Sequence, residues 1–152
     1  MKVYLGADHG GLALKNQVAK WLADWGYNYQ DLGPSQYDEN DDYPEVAFRV
    51  ATQVAQDPGA RSILVCRSGG GMAIAANKVK GARAVAVGSS NEAQHAVSHN
   101  NANVISLAGD WLTEKQAQEI VKTYLDTKFS QEERHARRLK KIADYESTSS
   151  SS

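Results

Sequence analysis

The segment of this chain with the clearest potential for chemistry is a glycine-rich turn beside its only cysteine. Cys66 ends an apolar run that begins at Ser62, and an Ala-rich segment follows at 72–78. The turn between them consists of Arg67, Ser68, Gly69, Gly70 and Gly71. This pattern predicts a strand, a tight loop and the start of a helix, where backbone N–H groups stabilise an anion or negative charge on sulfur. The segment is therefore either a base or nucleophile beside an anion-binding loop, or a plain turn next to a small buried cysteine.

Further polar side chains stand beside other predicted strands. Asp8 and His9 follow the first strand, and His99 and Asn100 precede the last one. Each has a structural alternative, because Asp is a common helix N-cap and an imidazole at a helix C-terminus interacts favourably with the helix dipole. Tyr43 offers either a hydroxyl to a pocket or an apolar start to its helix.

A basic cluster lies near the C-terminus. Arg134 and Arg138 are four residues apart, so on a helix they share one face. Two guanidinium groups on one face can bind a phosphate, and a solvated charged face is the alternative.

The elements that would position these residues alternate between strands and helices. The predicted strands cover 2–6, 27–32, 62–66, 82–87 and 103–107, and the predicted helices cover 12–25, 43–56, 72–78, 91–99, 113–127 and 132–145. Such alternation is typical of a parallel sheet covered by helices on both faces. We expect an α/β fold: a three-layer αβα, doubly wound (Rossmann-like), five-stranded parallel sheet with an extra C-terminal helix. Ligands of such sheets bind beyond the carboxyl ends of the strands.

Length and composition indicate one globular domain. The chain has 152 residues, of which 41% are hydrophobic and 23% charged, and we expect a domain at 1–146 followed by a disordered Ser-rich tail at 147–152. A net charge of −1 gives no indication of a nucleic-acid partner. No apolar run approaches the roughly 20 residues of a membrane span, so no membrane partner is expected. A single cysteine and the lack of a signal peptide favour the cytoplasm.

Proton abstraction next to a carbonyl uses all of the candidate groups. A cysteine-based phosphatase needs an arginine that closes the loop, whereas Gly71 and Met72 continue it here. A dinucleotide site needs a glycine pattern that the pair at 10–11 lacks, and a mononucleotide or flavin site leaves Cys66 and His99 without a task. An isomerase needs a base, amide donors for an enediolate oxygen and a ring-opening group, and Cys66, the loop amides and His99 can supply them.

Short motifs run in order along nearly the whole chain. They are 6–11 (GADHGG), 31–33 (DLG), 42–44 (DYP), 66–78 (CRSGGGMAIAANK), 81–84 (GARA), 99–104 (HNNANV) and 134–138 (RHARR). This ordered set resembles the type B ribose-5-phosphate isomerases of the ribose/galactose phosphate isomerase family. The resemblance implies a doubly wound α/β fold and interconversion of an aldose phosphate with its ketose phosphate, without metal or cofactor.

The resemblance also implies catalytic roles for individual residues. Cys66 matches the base that forms the cis-enediolate, Ser68 the hydroxyl beside that base, and His99 the ring-opening residue. Asp8 and Asn100 match residues that contact sugar hydroxyls, and Asp8 is a candidate to assist ring opening.

The phosphate of the substrate would be held by His9 together with Arg134 and Arg138. Tyr43 and the loop residues Arg67, Gly69, Gly70 and Gly71 complete the predicted binding set. The family's site lies between two subunits, so the resemblance implies a homodimer or homotetramer.

The chain departs from the family pattern at the loop and after the last strand. Arg67 stands where the family usually has glycine, and Gly70 where it usually has a small aliphatic residue. Asp110 and Trp111 stand where many members carry a further phosphate-binding arginine. We hypothesise that Arg67 replaces the missing cation, reaches the substrate and shifts its preference.

These observations predict a ribose-5-phosphate isomerase of the pentose phosphate pathway, which acts on a phosphorylated sugar. The alternatives are an isomerase of a hexose phosphate, of the galactose-6-phosphate or allose-6-phosphate type, and a non-catalytic sugar-phosphate-binding domain.

Overall fold

The computed structural model describes residues 1–149 as alternating strands and helices. The strands are β1 (Lys2–Ala7), β2 (Asn28–Asp31), β3 (Arg61–Cys66), β4 (Ala84–Ala86) and β5 (Val104–Ala108). The α-helices are α1 (Leu12–Asp24), α2 (Tyr43–Gln56), α3 (Gly70–Ala76), α4 (Ser90–Ser98), α5 (Glu114–Asp126) and α6 (Glu133–Ser149). A single 3-10 turn, His9–Gly11, joins β1 to α1.

The five strands form one parallel sheet in the order β2-β1-β3-β5-β4. From β1 the chain goes to β2 on one side, and from β3 it goes to the edge strand β4 on the other side before it returns to β5. The switch point therefore lies between the neighbours β1 and β3. The predicted doubly wound architecture is therefore confirmed. In such sheets the crevice at the switch point, beyond the carboxyl ends, is the usual ligand site.

Side-chain alternation along the strands builds two cores. Val3 and Leu5 of β1 face α1, α4 and α5, whereas Tyr4 between them faces α2 and α3. The inner strands β1, β3 and β5 are buried on both faces, which explains why their sequences are nearly continuous apolar runs. Cys66 belongs to the core on the α2 and α3 side.

The edge strand β4 is shorter than the prediction for 82–87. Both the N–H and the C=O of Ala84 bind the side-chain amide of Asn77, at 2.8 and 2.9 Å. The backbone N–H of Arg83 is bound by the side chain of Asn103 at 2.7 Å. Side-chain amides thus take over pairing that would otherwise extend the strand, and they cover part of the exposed sheet edge.

The C-terminal helix α6 extends further than expected. Residues 147–149, which the prediction assigns to the Ser-rich tail, are described as the end of α6, which runs through Ser149. An i,i+4 ion pair between Lys140 and Asp144 (2.9 Å) supports the last turns, where the Ser147 hydroxyl donates to the carbonyl of Ala143. Residues 150–152 of the predicted tail lie outside the described residues.

Candidate active site

The carboxyl ends of β1 and β3 open into a pocket at the switch point. Ala7 pairs with Val65, so Asp8 and Cys66 leave the sheet side by side. The pocket has a volume of about 430 Å³. Its lining consists of Asp8, His9, Asp41, Asp42, Tyr43, Cys66, Arg67, Ser68 and Gly71. All of these except Asp41 and Asp42 are residues that the sequence analysis selected.

The Cys66 sulfur lies beneath the glycine-rich loop. Cys66 is 4% exposed, and its Sγ accepts a hydrogen bond from the backbone N–H of Gly69 at 3.1 Å. Gly69 has a φ of 83°, a left-handed conformation in which a side chain would be strained. This turn aims an amide donor at the sulfur, and such a donor stabilises negative charge on it. The hydroxyl of Ser68 stands next to it and accepts from the N–H of Gly70 at 3.3 Å.

Gly69 and Gly70 do not line the pocket, although both were predicted to bind substrate. Gly69 is buried against the backbone of Leu107 and Ala108. Gly70 begins α3, and a Cβ there would meet only the Ser68 hydroxyl, at 3.8 Å. The loop therefore presents Ser68 and Gly71 to the cavity and uses the two other glycines to make the turn.

His9 and Asp8 occupy the 3-10 turn that follows β1. The Nδ1 atom of His9 lies 2.7 Å from Asp41 Oδ1, and the backbone N–H of His9 donates to the same oxygen at 3.0 Å. This carboxylate raises the pKa of His9 because its hydrogen bond favours the imidazolium form. The Asp8 carboxylate accepts a hydrogen bond from the N–H of Gly11 at 3.1 Å and so acts as the N-cap of the turn. Burial raises the pKa of Asp8.

Asp41 is a pocket residue that the sequence analysis missed. It lies in the acidic segment 33–42, which shows no hydrophobic periodicity. Its contact with His9 spans 32 positions of sequence, so no local pattern indicates it. The available signal was its position just before the 42–44 motif.

Tyr43 stands over the glycine-rich loop at the start of α2. A Cβ built on Gly71 would lie 2.7 Å from Cζ of the Tyr43 ring, so the ring packs directly against this glycine. Tyr43 is 39% exposed. Tyr43 also belongs to the lining of the pocket.

Arg67 lies at the mouth of the pocket. Its Nη1 atom is 3.4 Å from Asp110 Oδ2, and the two side chains are 58% and 43% exposed. The departures from the family pattern at Arg67 and Asp110 thus form one ion pair. Trp111 is 72% exposed and does not line the pocket.

His99 does not line this pocket and instead lies in a cluster of three histidines. Its ring stacks on His95 with centroids 4.1 Å apart and lies 4.3 Å from His135. The hydroxyl of Ser98 is 2.9 Å from its Nδ1. Burial lowers the pKa of His99, and the neighbouring imidazoles of His95 and His135 lower it further.

The remaining predicted residues lie near this histidine cluster or beyond it. Arg134 is exposed on α6, and its Nε donates to Nε2 of His135 at 3.3 Å. Arg138 is exposed one turn further along the same helix. Asn100 lines a separate open groove of about 830 Å³ between α6 and β4, which also contains the exposed side chains of Ile142 and Tyr145. This groove has no cysteine or histidine in its lining and is not the site of the predicted chemistry.

Within one chain, the Cys66 thiol and the His99 imidazole are far apart. Cys66 ends β3, whereas His99 follows α4, which runs back from the carboxyl end of β4 towards the amino end of β5. The backbone N–H of Asn103 binds the carbonyl of Arg83, just before β4 begins. From Ser62 to Cys66 the strand rises about 13 Å, so Cys66 and His99 lie near opposite ends of the strands.

Two negative findings concern residues 1–149. In this range, no set of three or more His, Cys, Asp or Glu side chains is arranged to hold a metal ion. The helices of the same range include none that is long and apolar enough to cross a bilayer.

Fold and site together define a doubly wound α/β domain with a thiol and loop amides in a pocket at the switch point. The sequence model of the Ribose/Galactose Isomerase family matches residues 3–142. The chain therefore belongs to this family, within the type B ribose-5-phosphate isomerases that its motifs resemble.

Individual relatives agree over almost their whole length. Ribose-5-phosphate isomerase B of Mycobacterium tuberculosis is 42% identical over 148 residues, which are 97% of this chain and 91% of the relative. A crystal structure of the Mycoplasma genitalium enzyme with bound ribulose-5-phosphate has a TM-score of 0.93 at 40% identity, with 96% of both chains covered. The Clostridium thermocellum ribose-5-phosphate isomerase B has a TM-score of 0.92 at 38% identity, with 97% of this chain and 99% of that one covered.

Proposed function

We propose that this chain interconverts ribose 5-phosphate and ribulose 5-phosphate through a cis-enediolate. The observation that carries the proposal is the position of Cys66, whose sulfur receives the Gly69 N–H in the pocket at the switch point. The activity named for the relatives supports the choice of substrate. The reaction uses acid, base and hydrogen-bond donors alone, and the pocket together with the histidine cluster of a second subunit would provide groups of each kind.

Cys66 acts as the base in this proposal. Its thiolate removes the proton from C2 of the open-chain aldose, and the electron pair moves into a C1–C2 double bond as negative charge appears on O1. The same sulfur returns the proton to C1, and the hydroxyl proton of O2 passes to O1, so the reaction is redox-neutral. Loop N–H groups and the Ser68 hydroxyl stabilise the charged intermediate.

His99 opens the sugar ring. A neutral imidazole accepts the proton of the anomeric hydroxyl, and the ring oxygen receives a proton as the C1–O bond of the ring breaks. The lowered pKa of His99, caused by burial and by the imidazoles of His95 and His135, keeps the ring neutral and able to accept. The raised pKa of Asp8, caused by burial, suits a carboxyl that gives a proton to the ring oxygen.

The phosphate binds to cationic side chains. The imidazolium form of His9 is favoured by Asp41, and it faces the pocket. Arg134 and Arg138 offer two guanidinium groups on one face of α6.

The complete site requires two copies of the chain. Cys66 and His99 lie near opposite ends of the strands of one sheet, so the ring-opening imidazole would reach the thiol pocket from a second subunit. The exposed apolar side chains of Ile142 (52%) and Tyr145 (74%) on α6 favour burial against another copy. We therefore propose a homodimer in which the partner subunit's His99, Arg134 and Arg138 complete each pocket.

The proposed function is tested by following isomerisation in D₂O. We expect deuterium at C1 of the ribulose 5-phosphate formed from ribose 5-phosphate, because the proton on Cys66 exchanges with solvent. We expect kcat/KM to be higher for ribose 5-phosphate than for galactose 6-phosphate, allose 6-phosphate or ribose. Turnover of each sugar can be followed by nuclear magnetic resonance. A folded protein that binds these phosphates but turns none of them over would instead be the non-catalytic alternative.

The acid limb of the pH profile should respond to His95. His99 must be neutral to accept a proton, and its pKa is lowered by burial and by the neighbouring imidazoles. The replacement His95→Gln removes one of these neighbours, so the pKa of His99 rises and the acid limb of kcat/KM moves to higher pH. The alkaline plateau is expected to stay unchanged.

Gln94→Ala is the matched control for His95→Gln, since residue 94 is an exposed neighbour on the same helix. If the pH profile of His95→Gln overlays the parent profile at every pH, the His95 ring does not affect the pKa of His99. The charged groups around this ring also include Glu132, which raises the pKa of His99, and Arg134, which lowers it, and both stay in place in the two variants.

A further inference from the structure

The ion pair of Arg67 with Asp110 has no task in the mechanism above. Arg67 lines the pocket, whereas Asp110 does not, and the two side chains meet at Nη1 of Arg67. We infer that Arg67, oriented by Asp110, binds the phosphate end of the substrate and sets the preference for phosphorylated sugars. This inference rests on the proposed function, because it assigns the anionic end of the same substrate.

The course of the Arg67 side chain brings its charge to the side of His9. A Cβ on Gly10 would lie 2.4 Å from Cγ and 3.2 Å from Nε of Arg67, so the side chain runs directly over this glycine. The pKa of His9 is raised chiefly by its hydrogen bond to Asp41, and the nearby charge of Arg67 opposes that rise. Two cations therefore face the same space, which suits a doubly charged phosphate.

The backbone holds Asp110 where it can orient the arginine. The N–H of Asp110 donates to the carbonyl of Arg67 at 3.1 Å, and the N–H of Gly109 donates to the carbonyl of Cys66 at 2.7 Å. The segment after β5 is thus tied to the loop after β3, and the catalytic loop and the ion pair share one support.

The ion pair leaves most of the guanidinium group available. Asp110 accepts from Nη1 alone, at 3.4 and 3.5 Å, and within residues 1–149 Nε and Nη2 donate to no other acceptor. A long contact between two exposed charged groups is weak. A phosphate can therefore bind the remaining N–H groups in the bidentate geometry for which arginine is suited, while Nη1 stays close to Asp110.

The test compares Arg67→Ala with Arg49→Ala, an exposed arginine of α2 whose Nη1 binds the carbonyl of Leu32. Loss of a charge-assisted, bidentate contact is expected to raise KM for ribose 5-phosphate about 10- to 100-fold, with kcat within about threefold of the parent. The inhibition constant of inorganic phosphate should rise in parallel, and kcat/KM for unphosphorylated ribose should stay unchanged. Arg49→Ala should change none of these values.

Two further variants test the position of the side chain while its charge is kept. Gly10→Ala places a methyl group where Cγ of Arg67 lies, so KM and the phosphate inhibition constant should rise although the arginine remains. Asp110→Asn should raise both about threefold in the parent and change neither in Arg67→Ala, because the carboxylate acts through the arginine. Tighter phosphate binding in Asp110→Asn would instead show that this carboxylate only repels the ligand.

Phosphate binding measured by calorimetry separates this inference from the proposed function. The measurement needs no turnover, so it is made on the parent, on Arg67→Ala and on Cys66→Ala. Equal affinity for inorganic phosphate in the parent and in Arg67→Ala, together with an unchanged KM, would overturn the inference and leave the isomerase proposal standing. An inactive parent whose phosphate affinity still depends on Arg67 would overturn the proposed function alone.

Discussion

Replacing Cys66 with alanine is expected to lower kcat for ribose 5-phosphate by about 10²- to 10⁴-fold, the range of a general base in proton transfer. The sulfur lies in the pocket with the Gly69 N–H directed at it, and no other lining side chain is a thiol. Exchange of the C2 proton with solvent should be lost together with turnover. Both quantities can be followed by nuclear magnetic resonance on the same sample.

Two controls separate a lost base from a damaged fold in Cys66→Ala. Cys66 is 4% exposed, so removal of its sulfur leaves a small cavity that costs about 1 kcal/mol of unfolding free energy. A thermal melt and phosphate calorimetry should show a folded protein that still binds the anion. The variant Cys66→Ser fills the same space with a much weaker base and should be nearly as inactive. Normal exchange of the C2 proton in either variant would transfer the role of base to another group.

Mixing two inactive variants should restore activity if the site is shared between subunits. Cys66→Ala lacks the base, and His99→Ala lacks the ring-opening imidazole, so each homodimer is impaired with the cyclic sugar. After subunit exchange about half of the dimers are mixed, and each mixed dimer has one pocket with both groups intact. We expect recovery of about 25% of the parent activity.

The matched control for the mixing experiment combines Cys66→Ala with Ser68→Ala. Both residues line the same pocket of one chain, so every pocket of the mixed dimer stays damaged and activity should not recover. Failure of Cys66→Ala and His99→Ala to complement, when light scattering and native mass spectrometry show that subunits have exchanged, would mean that each chain contains its own complete site. The proposed two-subunit arrangement would then be wrong.

Local patterns in the sequence determined most of the secondary structure. Thr113 and Gln116 form a reciprocal cap in which each side chain binds the other's backbone N–H, so α5 begins close to where the sequence predicts it. Apolar runs of five or six residues indicate buried parallel strands, and their alternation with helices left few other topologies. The weak edge strand was placed less well, since β4 begins only at Ala84, where side-chain amides of Asn77 and Asn103 bind the backbone.

The sequence alone determined the fold class and the residues around Cys66, because strand, glycine turn and helix start are contiguous in the chain and depend on local backbone preferences. The tertiary structure decided which charges meet: Asp41 with His9 and Asp110 with Arg67 are separated by 32 and 43 positions. It also placed His99 near the opposite end of the strands from Cys66. Contacts of this kind depend on the path of the whole chain, in which the connecting helices return the backbone from the carboxyl end of one strand to the amino end of the next.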